Sequence, residues 1–186
     1  GYTFLTGEKN GIRAQQELFV PRGDACEIDR LTLENKTDAP RTLDVFSYVE
    51  FCLWDAMDDS SNFQRNFSTG EVEVVGSAIY HKTEYRERRD HYAVFWANTP
   101  ATSFDTARDA FCGVYGGPAE PEAVKAGRCS NSIAHGWAPV GAHHFHLTLE
   151  AGETRTILFG LGYIENPVDE KFTAPGVINK TRAEAM

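Results

Sequence analysis

Between Arg41 and Leu53 apolar side chains recur at most alternate positions, with Leu43, Val45, Val49, Phe51 and Leu53 on one side and Thr42, Asp44 and Glu50 on the other. A period of two belongs to an extended strand with one buried face; a helix would return its apolar stripe every three or four residues. The polar side of this strand also carries Phe46 and Tyr48, so a further layer is expected over part of it.

The rest of the chain reads the same way. Residues 26–34 form an apolar-polar run joined to the first strand by Asn35-Lys36-Thr37-Asp38-Ala39-Pro40, a cluster of turn formers that predicts a β-hairpin. A slip of phase between Ile28 and Leu31 predicts a bulge or a change of buried face. Residues 71–75, 78–81, 92–97 and 111–115 are short strand candidates set apart by Gly, Asp and Thr-Pro. Residues 144–150 and 154–162 flank Ala151-Gly152 and predict a second hairpin. Residues 116–127, with Gly-Gly-Pro and Glu-Pro-Glu, are too rich in breakers for a strand and predict a loop with one helical turn. After Thr173-Ala174-Pro175-Gly176 the composition of residues 177–186 turns helix-forming. The expected fold is all-β, an antiparallel β-sandwich followed by the start of a helix.

Composition narrows the function. At 186 residues the chain can bury one substantial core, and its formal net charge of -9 repels a phosphate backbone, which argues against nucleic acid. No apolar run approaches the roughly 20 residues needed to span a bilayer, and residues 1–10 lack a signal pattern, so a cytoplasmic protein that avoids membranes is expected. Cys26, Cys52, Cys112 and Cys129 form no C-x-x-C pair and read as reduced structural thiols. The first residues already read as a strand and the last stop within a helical pattern, so a fragment of a longer polypeptide is expected.

Chemistry concentrates in residues 51–71, where a strand runs into a polar, aromatic loop bearing Asn62, Gln64 and Arg65. Amide and guanidinium donors beside aromatic faces suit a sugar, whose hydroxyls and C–H surface need both. A surface loop with turn-capping Asp58 and Asp59 and an ion-paired Arg65 accounts for the same composition. Residues 80–92 mix Arg86, Arg88 and Arg89 with Glu84, Glu87 and Asp90, the pattern of a solvated face. On a strand His144 and His146 share one face and His143 the other; two histidines alone do not make a metal site without a carboxylate from elsewhere, and none is expected. No nucleophile elbow, P-loop or dinucleotide fingerprint is present.

Longer runs carry a resemblance. Residues 7–12, Phe51-Cys52-Leu53-Trp54, Asn62-Phe63-Gln64-Arg65-Asn66-Phe67-Ser68-Thr69-Gly70-Glu71, residues 79–89, Gly136-Trp137-Ala138-Pro139-Val140-Gly141 and Gly162-Tyr163-Ile164-Glu165-Asn166-Pro167 resemble, in order and over nearly the whole chain, the cellobiose phosphorylase family of inverting disaccharide phosphorylases. The sequence departs from that family at Asp55, where Asn is commoner.

The resemblance implies a galactose-mutarotase-like sandwich, incomplete at its N-terminus, over residues 1–172, and the start of a helical linker to an (α/α)6 catalytic barrel over residues 173–186. It implies conversion of cellobiose and phosphate to α-D-glucose 1-phosphate and glucose by single displacement, with the general acid and the phosphate site in the barrel. No catalytic residue and no cofactor is then expected in this chain, inorganic phosphate being a co-substrate held elsewhere. Gln64 and Arg65, with Asn62, are the implied contacts to the acceptor-side sugar. The implied partners are cellobiose or glucose, the remainder of the same polypeptide and a second copy in a homodimer. Two other classes fit the same residues: a stand-alone carbohydrate-binding module and a purely structural dimerisation domain.

Overall fold

The computed structural model describes residues 1–51, 57, 70–83, 91–136 and 138–186. The strands run β1 (Tyr2–Lys9), β2 (Ile12–Phe19), β3 (Cys26–Asn35), β4 (Arg41–Glu50), β5 (Gly70–Val75), β6 (Ala78–Thr83), β7 (His91–Ala97) and β8 (Ser103–Ala107). Two short helices follow, α1 (Arg108–Cys112) and α2 (Glu122–Ala126), and then the long strands β9 (Pro139–Leu149) and β10 (Thr154–Glu165). A small β11 (Phe172–Ala174), β12 (Val177–Ile178) and α3 (Thr181–Glu184) complete the chain.

Alternation along β4 sends Leu43, Val45 and Val49 into the core and turns Phe46 and Tyr48 away from it. Among the described residues ten strands share this logic in two facing sheets, one ordered β1-β2-β3-β10-β7-β6-β5 and the other β4-β9-β8, each neighbouring pair antiparallel. Between them the larger sheet contributes Leu33, Val72, Ile79, Phe95, Ile157 and Phe159, and β9 contributes Phe145, Leu147 and Leu149. Each such side chain, fully buried, contributes about 2 kcal/mol of apolar transfer free energy. Three strands cannot cover seven, and β1 is exposed along its whole length, with Tyr2, Phe4 and Leu5 open to solvent.

The all-β expectation holds, but neither expected hairpin forms. β3 and β4 lie in different sheets, and so do β9 and β10. The turn formers were correctly placed; what they build are two arches that carry the chain from one sheet to the other. The arches lie side by side because β3 pairs with β10 while β4 pairs with β9.

Asn35 locks them together. Its backbone N–H donates to Glu153 O at 2.9 Å and its carbonyl accepts from Gly152 N–H at 3.0 Å. Its side-chain amide, completely buried, donates to Ala39 O at 2.8 Å, Glu150 O at 3.0 Å and Leu149 O at 3.1 Å, while Oδ1 accepts from the Thr37 backbone N–H and hydroxyl. One side chain thus satisfies backbone groups of both arches where no strand partner is available.

Other expectations resolve by position. The phase slip in β3 is a change of face: its ladders with β2 and β10 run without interruption, Leu31 and Leu33 join the core, and Ile28 lies on the opposite side. The expected strand at residues 111–115 is instead the end of α1, and β8 was missed beside it. Phe111, Cys112 and Ala123 lie over Phe46, Tyr48 and Ala142, so α1 and α2 are the layer that the aromatic outer face of β4 required. A true hairpin, β1–β2, turns at Asn10-Gly11 with φ of 52° and 77°, the left-handed pair of a type I′ turn. Near the C-terminus the helix begins only at Thr181. Ahead of it Ile178 is buried against Tyr80 and Tyr92, and its N–H donates to Glu73 at 2.8 Å, which draws this part of the chain onto the sheet instead of into a helix.

Asn35→Ala removes the side-chain half of the lock and strands buried carbonyls on both arches. A loss of about 3 kcal/mol in unfolding free energy is expected, measured by urea denaturation; a change within about 0.5 kcal/mol would show the arches to be held otherwise.

Candidate functional site

Residues 7–12, at the β1–β2 turn, lie at one end of the sandwich, beside Asn35; most of the runs that carry the family resemblance converge at the opposite end. β4 stops there at Glu50, opposite Val140 near the start of β9. β5 begins at Gly70, paired with Thr83, the last residue of β6, and β7 begins at His91, paired with Glu165, the last residue of β10. Asn62, Gln64 and Arg65 lie outside the described residues, as do Asp55, 84–90 and Trp137. Their stems are described, and the strand ladders bring them to a common edge. A Glu71–His135 bridge ties β5 to the segment that leads into β9.

Beneath the stems the packing is tight and dry. Phe51 stacks on His81 with ring centroids 5.0 Å apart, and both are buried. Burial lowers the His81 pKa to about 4, so its imidazole is neutral near pH 7. Gly141 is closely packed on: a Cβ there would lie 2.8 Å from Phe95 Cδ1 of the facing sheet, and 3.1 Å from Phe51 Cζ and from Val49 Cγ2. Ala138, in the same Gly-Trp-Ala-Pro run, holds a φ of 37°, an unusual conformation for a residue with a Cβ. The Lys82 ammonium, in a side chain only 4 % exposed, meets Glu71 Oε2 at 2.6 Å and the Gly176 carbonyl at 3.1 Å, and lies 4.5 Å from the centre of the Phe172 ring. That arrangement clips the β11–β12 segment to the loop-bearing end. Tyr48 donates to Glu50 Oε1 at 2.6 Å, and Arg108 Nε meets the same oxygen at 3.2 Å. Together these contacts form a packed base beneath the described stems.

Along the margin of β4 the sheets part over a cleft of about 320 Å³ lined by Gln16, Glu27, Asp29, Tyr48 and Phe159 among others. Burial raises the Asp29 carboxyl pKa, and Gln16 Nε2 donates to its Oδ2 at 2.5 Å. The three clustered histidines divide as strand alternation requires. His143 points into the core among Phe95, Phe145 and Phe159, with its Nδ1 2.9 Å from Ser47 Oγ; burial lowers its pKa to about 4. His144 and His146 share the outer face, and both reach Asp44 on β4. Sequence reasoning paired the histidines but missed Asp44, which only the β4–β9 register brings opposite. Cys26, Cys112 and Cys129 are free and buried, as expected of structural thiols, and no described helix is long and apolar enough to cross a membrane.

The family model for the glycosyl hydrolase 94 supersandwich domain matches residues 1–185. The chain belongs to the glycosyl hydrolase 94 family. Among curated relatives, the N,N'-diacetylchitobiose phosphorylase of Vibrio furnissii is 34% identical over 166 residues, covering 87% of this chain and 20% of that protein. The solabiose phosphorylase of Paenibacillus borealis is 32% identical over 158 residues, covering 84% of this chain and 20% of that protein. The chain thus spans about a fifth of the length of these glycosyl hydrolase 94 relatives. Among solved structures, a polysaccharide lyase superposes with a TM-score of 0.52 at 12% identity, covering 90% of this chain and 22% of that chain, a likeness of fold alone. The family is therefore the one the sequence runs resembled, at the level of disaccharide phosphorylases in general.

His81 and His143 give the domain a defined response to acid. Both titrate at about 4 when folded and at 6.5 when exposed, so below 6.5 the unfolded chain takes up protons that the folded chain refuses. Their contribution to stability is full above pH 6.5 and is lost between 6.5 and about 4. The thermal midpoint should fall across this window, and His143→Gln should flatten the fall; an unaltered slope in the variant would contradict the assignment.

Proposed function

We propose that this chain is the supersandwich segment of an inverting phosphorylase that splits cellobiose with inorganic phosphate, and that its loop-bearing end walls the acceptor side of the sugar pocket. Gln64 and Arg65, with Asn62, would contact the acceptor sugar. The observation that supports the reading is topological: the family-like runs that flank residues 52–69, 84–90 and 137, scattered through the sequence, meet at one end of one sandwich, while residues 7–12 lie at the other. A surface built that way serves a shared ligand or a neighbouring domain.

In this reading the chemistry belongs to the rest of the polypeptide. Phosphate attacks the anomeric carbon from the face opposite the leaving sugar, a carboxylic acid protonates the leaving oxygen, and the product is α-D-glucose 1-phosphate. The sandwich contributes selectivity: amide and guanidinium groups that hydrogen-bond particular hydroxyls penalise an acceptor lacking them, because the donors are then left buried and unpaired. The free, buried thiols suit a reducing, cytoplasmic setting. A homodimer completes the proposal.

Two measurements test it. The isolated chain mixed with cellobiose and phosphate should release no glucose 1-phosphate, and turnover by the chain alone would move the chemistry into the sandwich. In the full-length enzyme, run in the synthetic direction, Arg65→Ala should raise KM for the acceptor sugar about 10- to 100-fold with little change in KM for glucose 1-phosphate. Unaltered acceptor kinetics would leave the loop a scaffold; tight calorimetric binding of cellobiose by the isolated chain would make it an autonomous module.

A further inference from the structure

Asp44 of β4 lies directly opposite His146 of β9, and His144 stands two residues along on the same face. Asp44 Oδ1 is 2.7 Å from His144 Nε2 and 2.8 Å from His146 Nδ1, and one ligand atom from each of the three side chains lies within 4.8 Å of the other two. We propose that Asp44, His144 and His146 form a binding site for a divalent transition-metal ion of the zinc class. Two imidazoles and one carboxylate are a donor set that such ions favour. Both rings hydrogen-bond to a single carboxylate oxygen, so a small shift of the Asp44 carboxylate, with loss of the ring protons that it accepts, would open the space between the three donors to one ion.

The surroundings favour a built site over a chance meeting of polar side chains. His144 is buried and stacks on Phe46 with centroids 4.7 Å apart at an interplanar angle of 20°. Its second nitrogen, Nδ1, lies 3.0 Å from Ser103 Oγ, which also accepts from the Cys129 backbone N–H at 3.1 Å. An outer hydrogen bond of this kind fixes ring orientation, and with a metal on Nε2 the ring proton moves to Nδ1 and is donated to Ser103 Oγ. Asp44 and His146 are more open, with side chains 39% and 56% exposed, so an ion can arrive from solvent and keep water in its remaining positions. Cys129 is a poor competitor, since burial pushes its thiol up to about 12. A bound ion would clamp β4 to β9 on the face opposite the core, a stabilising role apart from phosphorolysis and independent of the function proposed above.

The test uses the 186-residue chain after chelator treatment and dialysis, titrated with Zn²⁺ by calorimetry and with Co²⁺ by visible absorbance. Expected are one equivalent of Zn²⁺ bound at micromolar concentration, Co²⁺ absorption bands of four- or five-coordinate form, and a thermal midpoint that rises with added Zn²⁺. His146→Ala removes an exposed side chain without opening the core; it should weaken Zn²⁺ binding about tenfold or more and erase the Co²⁺ bands, and Asp44→Asn should do the same. Stoichiometric binding that survives both substitutions would assign the ion to thiols or other surface groups. That result would overturn the proposal, as would a wild-type chain that takes up no Zn²⁺.

Discussion

The buried amide of Asn35 is the interaction on which the two-sheet architecture depends. A sandwich must carry its chain from one sheet to the other, and wherever it does so the backbone leaves its ladder and exposes N–H and C=O groups to a dry interior. Two of the crossings here, after β3 and after β9, are laid against each other, and one side chain with two donors and an accepting oxygen serves both. Asp or Ser in its place could not both donate and accept in that pattern. The sheet pairings of β3 with β10 and β4 with β9 follow as one geometric unit, because fixing either crossing fixes the other.

How much of this was legible in the sequence depends on the range of the interaction. Alternation is local, so the strands, the inward set Leu43, Val45 and Val49, and the split of His143 from His144 and His146 could all be read from neighbouring residues. Turn chemistry is also local, but it does not say which sheet the following strand joins. The sequence 35–40 bends the chain equally well in a hairpin or in an arch, and the choice is made by Glu150, Gly152 and Glu153 more than a hundred residues away. Phe111 and Cys112 gave a strand-like apolar signal for the same reason: their partners Phe46 and Tyr48 are distant in sequence, and it is the contact that demands apolar side chains, whatever the local backbone. At the candidate site, the polar loop was conspicuous in sequence and the common edge from which it rises was not. Asp44 looked like one more solvent-facing residue of an alternating strand until the register set it against His146.

The loop-bearing end stands on a closely packed floor. Gly141 lets the sheets close on Phe51, Val49 and Phe95, and His81 stays neutral beneath them, while the nearby Lys82 and Arg108 are paired with Glu71 and Glu50. Loops on such a floor can differ in sequence without disturbing the strands that carry them.

The overhang of β1 has a practical meaning. Among the described residues this strand pairs only with β2, and its outer row of amide and carbonyl groups faces water beside Tyr2, Phe4 and Leu5. A long, open edge of that kind is a template for any extended peptide, including another molecule of the same sequence. Self-association along this edge is therefore a hazard in handling the chain. Its surplus of negative charge, mutually repulsive between molecules, is the counterweight that keeps such encounters brief.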